Sequence, residues 1–349
     1  MPENTENVGS SENTNKPEKI ERPVMTAKVL PPYLLKRSAE ALDKENINPA
    51  SLMAQGERLW DDLDSAELGD PMMAAEYAPE IFEYMRHLEK AVIPRPNYNL
   101  PKRGISWASR TVLVDWLVDV QNRLRLLPET LFLTVNIIDR ILAVLDVQVF
   151  QLQLLGLVAT SLASKCEEVV SPSVTNFVHL SEDGYSPQDM LSAERRVLYL
   201  LGFSLAFPSP MNYLRRISKA ENYDLRTRTL AKFLMEITFL DHCYVSVPPS
   251  LMAAASMFTA RLMLRCGPWN ANLAHYSGYT ETELRRYSNR ILLFLQSEQH
   301  LCSIHRKYAS KRFMKASVFV FDWIKRHFPT CASVNSGNFA AATYDADSE

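Results

Sequence analysis

The sequence is poor in the features that cofactor-dependent enzymes use. It has only 10 glycines in 349 residues, and the glycine-rich phosphate-binding patterns GxGxxG and GxxxxGK[ST] do not occur. The GxSxG and HxxxH patterns are missing as well, and the seven histidines fall singly. These absences disfavour a nucleotide-dependent enzyme or a hydrolase, so we expect an interaction protein with no catalytic residues, no cofactor and no metal.

Cysteine pairs, excess charge and long apolar runs are also scarce. The five cysteines lack CxxC spacing, which favours free thiols in a reducing compartment over disulfides or a zinc site. The net charge of −2 gives no reason to expect nucleic acid as a partner. No apolar run reaches the roughly 18 residues of a membrane span, and the polar first residues lack a signal-peptide core. We therefore expect no membrane partner.

Amphipathic helical periodicity dominates the middle of the chain. It begins with two helices joined by a tight connection, and Pro128 suits the first position of the second helix, where its missing N–H needs no partner. Four charged residues stand among the apolar positions of this pair: Arg110, Asp115, Asp139 and Arg140. Charges placed beside tryptophan and leucine suggest pairs that fix helix ends.

Three further helices complete a first unit. Gln151–Val169 is apolar nearly all round and rich in small residues, which is typical of the central helix of a bundle. Val174–Leu180 is a fourth helix. Ser186 and Pro187 open a fifth helix as N-cap and first residue, and Gly202 ends it.

The second half of the chain repeats the pattern of the first. Asp115–Val120 resembles Lys232–Ile237, and Leu157–Lys165 resembles Ala253–Arg261. A weak repeat roughly one hundred residues apart predicts a duplicated helical unit. The last helix is predicted at Lys311–Phe328.

Two groups of residues stay ambiguous from periodicity alone. Lys165 either offsets the negative end of its helix dipole, or it lies near Glu194 and presents hydrogen-bonding groups to a partner. The second group lies in the core or lines an exposed groove between the first and third helices: Ser109, Val112, Leu113, Trp116, Leu152 and Gln153.

Several long motifs carry a family resemblance. RTVLVDWLVDV, LQLLGLVATSLASKCEEV, AERRVLYLLGFSL and KYASKRFMKASVFVFDWIK closely resemble the cyclin folds of B-type (G2/mitotic-specific) cyclins of fungal type. The resemblance runs from about Tyr77 to Phe328. It implies an all-α protein with two tandem five-helix cyclin folds, preceded by a short N-terminal helix and a disordered arm.

The resemblance and the composition together divide the chain into four parts. The first 72 residues are rich in Glu, Asn, Ser and Pro with few aromatic residues, and are predicted to be disordered. The predicted parts are a regulatory arm at 1–72, an N-terminal cyclin box at 73–205, a C-terminal cyclin fold at 206–329 and a flexible tail at 330–349.

The implied function is that of a regulatory subunit with no enzymatic activity of its own. Such a subunit binds and activates a cyclin-dependent protein kinase and controls cell-cycle progression at G2/M or S-phase entry. The kinase-binding positions are Lys165, Glu168, Val169, Glu194, Leu198, Phe203 and Leu205. The hydrophobic patch for RxL-type substrates or inhibitors maps to Val112, Leu113, Trp116, Leu152 and Gln153. Arg110 and Asp139 match a buried ion pair that braces the box.

Two positions depart from the family pattern. Ser109 stands where the family usually has Met at the edge of the patch, so we expect weaker or altered RxL docking. Cys166 stands where many members carry an aromatic residue, so we expect a smaller contact area with the kinase.

The N-terminal arm carries a candidate degron. Lys44, Glu45 and Asn46 form a KEN box followed by Pro49, which implies recognition by the anaphase-promoting complex and ubiquitin-mediated destruction. No RxxL destruction box with its trailing Asn occurs in the arm. The family resemblance also implies residence in the nucleus, with the cytoplasm as a second compartment.

Two rival functions are compatible with a cyclin-like fold. A DNA-binding transcription factor of the cyclin fold should be basic over its folds and carry a zinc ribbon, and this sequence has neither. A scaffold that binds a kinase without activating it would have the same sequence features, so the sequence does not separate it from an activator.

Overall fold

The computed structural model describes residues 59–94, 105–182, 184–296 and 302–328. Within these ranges every regular element is helical, with 13 α-helices and several short 3-10 turns. The predicted all-α class is therefore confirmed. The predicted KEN box and tail lie outside the described residues.

A single helix precedes the first five-helix unit. This helix, α1, spans Ala78–Val92, and Pro at its start follows the general preference for proline in the first helical turn. The helices of the first unit are α2 (Trp107–Leu124), α3 (Pro128–Val144), α4 (Leu152–Glu167), α5 (Val174–Leu180) and α6 (Pro187–Leu200). Helix α4 packs on both α3 and α6, as expected for a central helix.

The second unit repeats this order and is followed by two more helices. Its five helices are α7 (Pro210–Lys219), α8 (Leu225–Ile237), α9 (Pro249–Leu264), α10 (Ala271–Ser277) and α11 (Glu281–Gln296). The additional helices are α12 (Ser303–Ala309) and α13 (Ala316–His327), so the predicted last helix starts later than Lys311. The apolar side chains of both units form one continuous core.

The predicted internal repeat is half right. Leu157–Lys165 in α4 and Ala253–Arg261 in α9 each belong to the third helix of their unit, as expected. However, Asp115–Val120 lies in a first helix, whereas Lys232–Ile237 lies in a second helix. That match is wrong, because two amphipathic helices share apolar spacing whatever their place in the fold.

The most apolar stretch of the chain forms helix α4. By length and composition alone, Val149–Glu167 is apolar enough to cross a membrane, contrary to the expectation that no segment reaches that size. Within the fold, 61% of the apolar window is buried. A central bundle helix needs the same composition, because it is surrounded by other helices on all sides.

The segment before α1 corrects another prediction. The predicted disordered arm extends to residue 72, but residues 59–72 include a 3-10 turn at Ser65–Glu67 and contact the second unit. We call residues 59–73 the strap. Composition misled the prediction because the carboxylates of the strap have cationic partners elsewhere in the chain, and these partners offset the entropy cost of ordering.

Arg110 joins three parts of the structure. Its guanidinium makes a bidentate ion pair with Asp139 on α3, with an Nε–Oδ1 distance of 2.6 Å and an Nη2–Oδ2 distance of 2.7 Å. Its remaining terminal nitrogen donates to the carbonyl oxygen of Phe239 in the second unit at 2.6 Å. Arg110 is only 2% exposed, so these acceptors replace its lost hydration.

We predict that Asp139→Ala lowers the free energy of unfolding by about 3–5 kcal/mol, because it leaves a buried guanidinium without its counter-ion. Urea unfolding followed by circular dichroism measures this change. Glu281→Ala is the matched control, since it breaks the more exposed i,i+4 pair with Arg285 and should cost at most about 1 kcal/mol. Equal losses in the two variants would contradict the bracing role of Arg110.

Candidate functional site

An ion pair connects the third and fifth helices of the first unit. The Nζ of Lys165 on α4 lies 2.6 Å from Oε1 of Glu194 on α6. The side chain of Lys165 is 43% exposed and that of Glu194 is 16% exposed. The pair therefore lies at the surface with spare donor and acceptor capacity, because an ammonium has three N–H groups and a carboxylate has several acceptor sites.

Large apolar side chains are exposed beyond the ends of the same two helices. Val169 and Val170 follow α4 and are almost fully exposed. Tyr199 and Phe203, at the end of α6, are 78% and 70% exposed. Single exposed apolar residues are ordinary, but a group of them around an ion pair is typical of a surface that another protein covers.

Phe203 also has an unusual backbone conformation. Its φ is +58°, directly after Gly202 with the same φ, and a bulky residue rarely adopts this left-handed region. The turn is fixed from both sides, because the Phe203 N–H donates to the carbonyl of Leu198 and Arg140 Nη1 donates to the carbonyl of Ser204 at 2.8 Å. Strain held in place at an exposed aromatic residue points to a binding role.

The other two apolar candidates are only partly exposed. Leu198 lies one turn beyond Glu194 on α6, and Leu205 follows the turn. Both side chains pack against the core. These two leucines therefore connect the exposed apolar group to the core, and part of each side chain stays accessible.

Glu168 has a role that the sequence did not reveal. Its Oε1 accepts hydrogen bonds from the backbone N–H of Leu127, at 2.7 Å, and from the hydroxyl of Thr130. Helix α3 has no side-chain cap of its own at Leu127. The carboxylate therefore caps α3 from the end of α4, a role in addition to the kinase contact that the family resemblance implies.

Burial and neighbouring negative charges raise the pKa values of the two residues between Lys165 and Glu168. Burial raises the pKa of the Glu167 carboxyl, and the negative charges of Glu129 and Glu168 raise it further. Burial and the charge of Glu167 also raise the pKa of the Cys166 thiol. Cys166 is therefore protonated near neutral pH and acts as a small contact residue, not as a nucleophile.

The residues of the predicted groove divide into exposed and buried side chains. Val112 is 70% exposed and Gln153 is also exposed, whereas Leu113 and Leu152 are buried. Trp116 is half-buried at the edge. Both readings from periodicity are thus partly right, because the patch combines core leucines with exposed neighbours.

Close packing of α2 on α4 shapes this patch. A Cβ on Gly156 would come within 2.9 Å of Cδ1 of Leu113, so a larger residue there would require the Leu113 side chain to shift. Ser109 does not enlarge the apolar area, because its backbone N–H and hydroxyl both bond the hydroxyl of Ser106, the N-cap of α2. The residue that departs from the family pattern therefore supports a helix start.

Sequence reasoning missed several contributors to the site. Val170 and Tyr199 are exposed apolar residues in the same area. The available signal in the sequence was that Val170 lies outside any helix and that Tyr199 lies off the apolar face of α6. Asp115 was expected to fix a helix end, and it does, since its carboxylate accepts from the N–H and hydroxyl of Ser303 at the start of α12. The sequence did not indicate that the helix capped by Asp115 would be α12, because the two lie far apart in the chain.

One group in the described part of the chain has residue types that bind metals. Asp241, His242 and Cys243 place one ligand atom each within 4.8 Å of one another. However, both oxygens of Asp241 accept hydrogen bonds from Arg290, and Oδ1 also accepts from the N–H of Cys243. The carboxylate is committed to these partners, so the group does not fit a metal centre.

Comparison with protein families identifies both units. Residues 80–206 match the family described as "Cyclin, N-terminal domain", and residues 208–322 match "Cyclin, C-terminal domain". The N-terminal match covers the ion pair, the exposed apolar group and the patch. The C-terminal match covers the second five-helix unit.

Individual relatives are fungal proteins. The chain is 51% identical to the G2/mitotic-specific cyclin cdc13 of Schizosaccharomyces pombe over 268 residues, which is 77% of this chain and 56% of that protein. It is 49% identical to the G2/mitotic-specific cyclin-B of Emericella nidulans over 76% of this chain and 56% of that protein. The chain thus spans just over half the length of these two relatives. It covers 69% of the G2/mitotic-specific cyclin cig2 of Schizosaccharomyces pombe at 41% identity.

A solved structure shares the fold at low sequence identity. A chain in the crystal structure of the yeast RNA Pol II CTD kinase CTDK-1 complex aligns with a TM-score of 0.52 and 15% identity, over 63% of this chain and 79% of that chain. At this identity the likeness shows the fold alone.

We predict that Glu168→Ala lowers the free energy of unfolding by about 0.5–2 kcal/mol, because α3 loses its N-terminal cap. Glu168→Gln should retain most of the stability, since both hydrogen bonds go to one oxygen that an amide also provides. Urea unfolding of the three proteins measures the difference. Equal losses in both variants would show that the charge, and not the acceptor, holds the helix.

Proposed function

This chain belongs to the cyclin family, and we propose that it is the regulatory subunit that binds and activates a cyclin-dependent protein kinase to control cell-cycle progression. The observation that carries this proposal is the exposed apolar group around the Lys165–Glu194 ion pair. The names of the fungal relatives support a role in G2 or mitosis. As a regulatory subunit the chain performs no catalysis itself.

The proposed mechanism is a shift in the conformational population of the kinase. An inactive kinase has its C helix displaced, so its catalytic lysine lacks the glutamate partner and its activation loop is not in place. A rigid surface that packs only on the inward C helix favours the active arrangement by its differential affinity. The cyclin units provide such a surface because Glu168 and Arg140 fix the ends of the helices that carry it.

The contact surface combines an apolar centre with a polar pair. Val169 and Phe203 would be desolvated against the kinase helix, with Leu198 and Leu205 behind them. Lys165 and Glu194 would set the register by donating to and accepting from the kinase backbone. Truncation of such groups in a protein interface typically costs about 2–5 kcal/mol of binding.

Substrate docking is assigned to the patch on α2 and α4. Val112 and Trp116 offer apolar surface to the leucine of an RxL-type substrate or inhibitor, and Gln153 offers a polar edge. Since Ser109 is engaged in the cap of α2, the patch is less apolar at that edge. We infer weaker RxL docking than in relatives with methionine there.

The proposed function includes regulated degradation of the protein and residence in the nucleus. The KEN box at Lys44, Glu45 and Asn46 would recruit the anaphase-promoting complex, and the chain would act in the nucleus with a second pool in the cytoplasm.

We predict that the double variant Lys165→Ala, Glu194→Ala abolishes co-purification of the kinase, because the register-setting contacts are lost. Affinity purification from cells with detection of the kinase measures this, and circular dichroism verifies the helical content. The matched control is Glu281→Ala with Arg285→Ala, which removes an ion pair of similar length from α11 of the second unit. Retention of kinase by the first variant would refute the site.

We also predict that Lys44→Ala, Glu45→Ala, Asn46→Ala lengthens the lifetime of the protein at mitotic exit. The half-life is measured by blocking protein synthesis in cells released from a mitotic arrest and following the decay of the protein. Lys16→Ala with Glu18→Ala and Asn15→Ala is a control of the same composition elsewhere in the arm. An unchanged half-life in the KEN variant would remove the degron from the account.

A further inference from the structure

The strap binds the second unit much as a peptide ligand binds a receptor. The indole of Trp60 stacks on the imidazole of His275, with ring centroids 3.5 Å apart and an interplanar angle of 9°. Asn272 holds the next residue, Asp61, by accepting from its backbone N–H at 2.8 Å and donating to its carboxylate at 2.9 Å. The Tyr276 hydroxyl donates to the Asp61 carbonyl. An aromatic side chain and the adjacent backbone are thus recognised together.

Two acidic side chains follow the aromatic anchor at fixed spacing. Asp64 forms a bidentate ion pair with Arg216 and also accepts from Lys219 at 2.8 Å. Glu67 accepts from Lys219 at 2.6 Å and from the hydroxyl of Tyr223 at 2.9 Å. The recognised pattern is an aromatic residue with carboxylates four and seven positions later.

The strap is held by polar recognition and not by core packing. Among the described residues before α1, Ala75 is the first that is buried, whereas Leu68 and Met72 of the strap are exposed. A cavity of about 550 Å³ remains between the strap, α1 and α7. Segments with few buried apolar contacts open at low free-energy cost, so the strap can leave without unfolding the second unit.

The receptor side carries two cations that the strap covers. The side chains of Arg216 and Lys219 are only 11% and 9% exposed. The strap itself contributes to this burial, so its release would expose Arg216 and Lys219 as two neighbouring cations without their carboxylate partners, and such a cationic face attracts anionic groups. The favourable outcome of strap release is therefore replacement by another carboxylate-bearing segment.

We propose that the face formed by α7 and α10 is a docking surface for acidic peptides led by an aromatic residue, filled in cis by the strap and open to a partner segment of the same chemistry in trans. This inference is independent of kinase activation. The short connection from the strap to α1 gives the strap a high effective concentration. A partner peptide therefore competes well only when the strap is weakened or when the partner is held nearby by another contact.

The test uses the full chain with its strap released by Trp60→Ala, Asp64→Lys and Glu67→Lys. A fluorescent peptide with the sequence of residues 59–70 is titrated against this variant and against the unaltered chain, with anisotropy as the readout. We expect the variant to bind the peptide at least about tenfold more tightly, a difference of about 1.4 kcal/mol. Arg216→Glu added to the variant should abolish binding, and a peptide of scrambled sequence should not bind.

The matched control is the full chain with Leu68→Ala and Met72→Ala, two exposed strap residues, which should bind the peptide as weakly as the unaltered chain. Equal binding by the released variant and the unaltered chain, or none by either, would overturn the proposal. If the released variant fails to fold by circular dichroism, hydrogen exchange of the unaltered chain decides. Excess peptide should then accelerate exchange at the amides of Asp61 and Leu63, and unchanged exchange would overturn the proposal.

Discussion

The arrangement of the two units depends on the buried guanidinium of Arg110. Its ion pair with Asp139 joins α2 to α3, and its bond to the Phe239 carbonyl joins both to the second unit. A guanidinium without partners at this depth would cost several kcal/mol, so alternative placements of the units are penalised. The second unit has a comparable buried acid, Glu236, which accepts hydrogen bonds from Lys307 and Tyr308 of α12.

Helix starts are fixed by the same kind of long-range pairing. Helices α3, α9 and α12 have no side-chain cap of their own, and each is capped by a carboxylate from another helix. Glu168 caps α3, Glu89 bonds the N–H and hydroxyl of Ser250 in α9, and Asp115 does so at Ser303 in α12. Each carboxylate satisfies orphan N–H groups and faces the positive end of a helix dipole. Glu168 directly follows α4, so its bond to the start of α3 also holds the end of the helix that carries Lys165.

Helix starts and bounds, which depend on neighbouring residues, were predicted well from the sequence. Contacts between residues far apart in the chain were not. The start of α6 at Ser186 and Pro187 and the bounds of α5 follow from caps and periodicity within a few residues. The partners of Asp115 and Glu168 lie far along the chain, and no local pattern encodes them. The strap was missed for the same reason, since its acids look like those of a disordered segment until Arg216 is seen beside them. The site residues came from family resemblance, because periodicity alone could not separate an exposed valine from a core one.

The central claim is that this chain activates a kinase and does not merely bind one. The most direct measurement mixes the purified chain with a purified cyclin-dependent kinase and records histone phosphorylation as the concentration of the chain rises. The proposed mechanism predicts a saturable rise far above the rate of the kinase alone, because the surface around Lys165 and Glu194 would stabilise the active C-helix position. Phosphorylation that stays at the kinase-alone level while the two proteins co-elute would contradict activation and leave only a binding role.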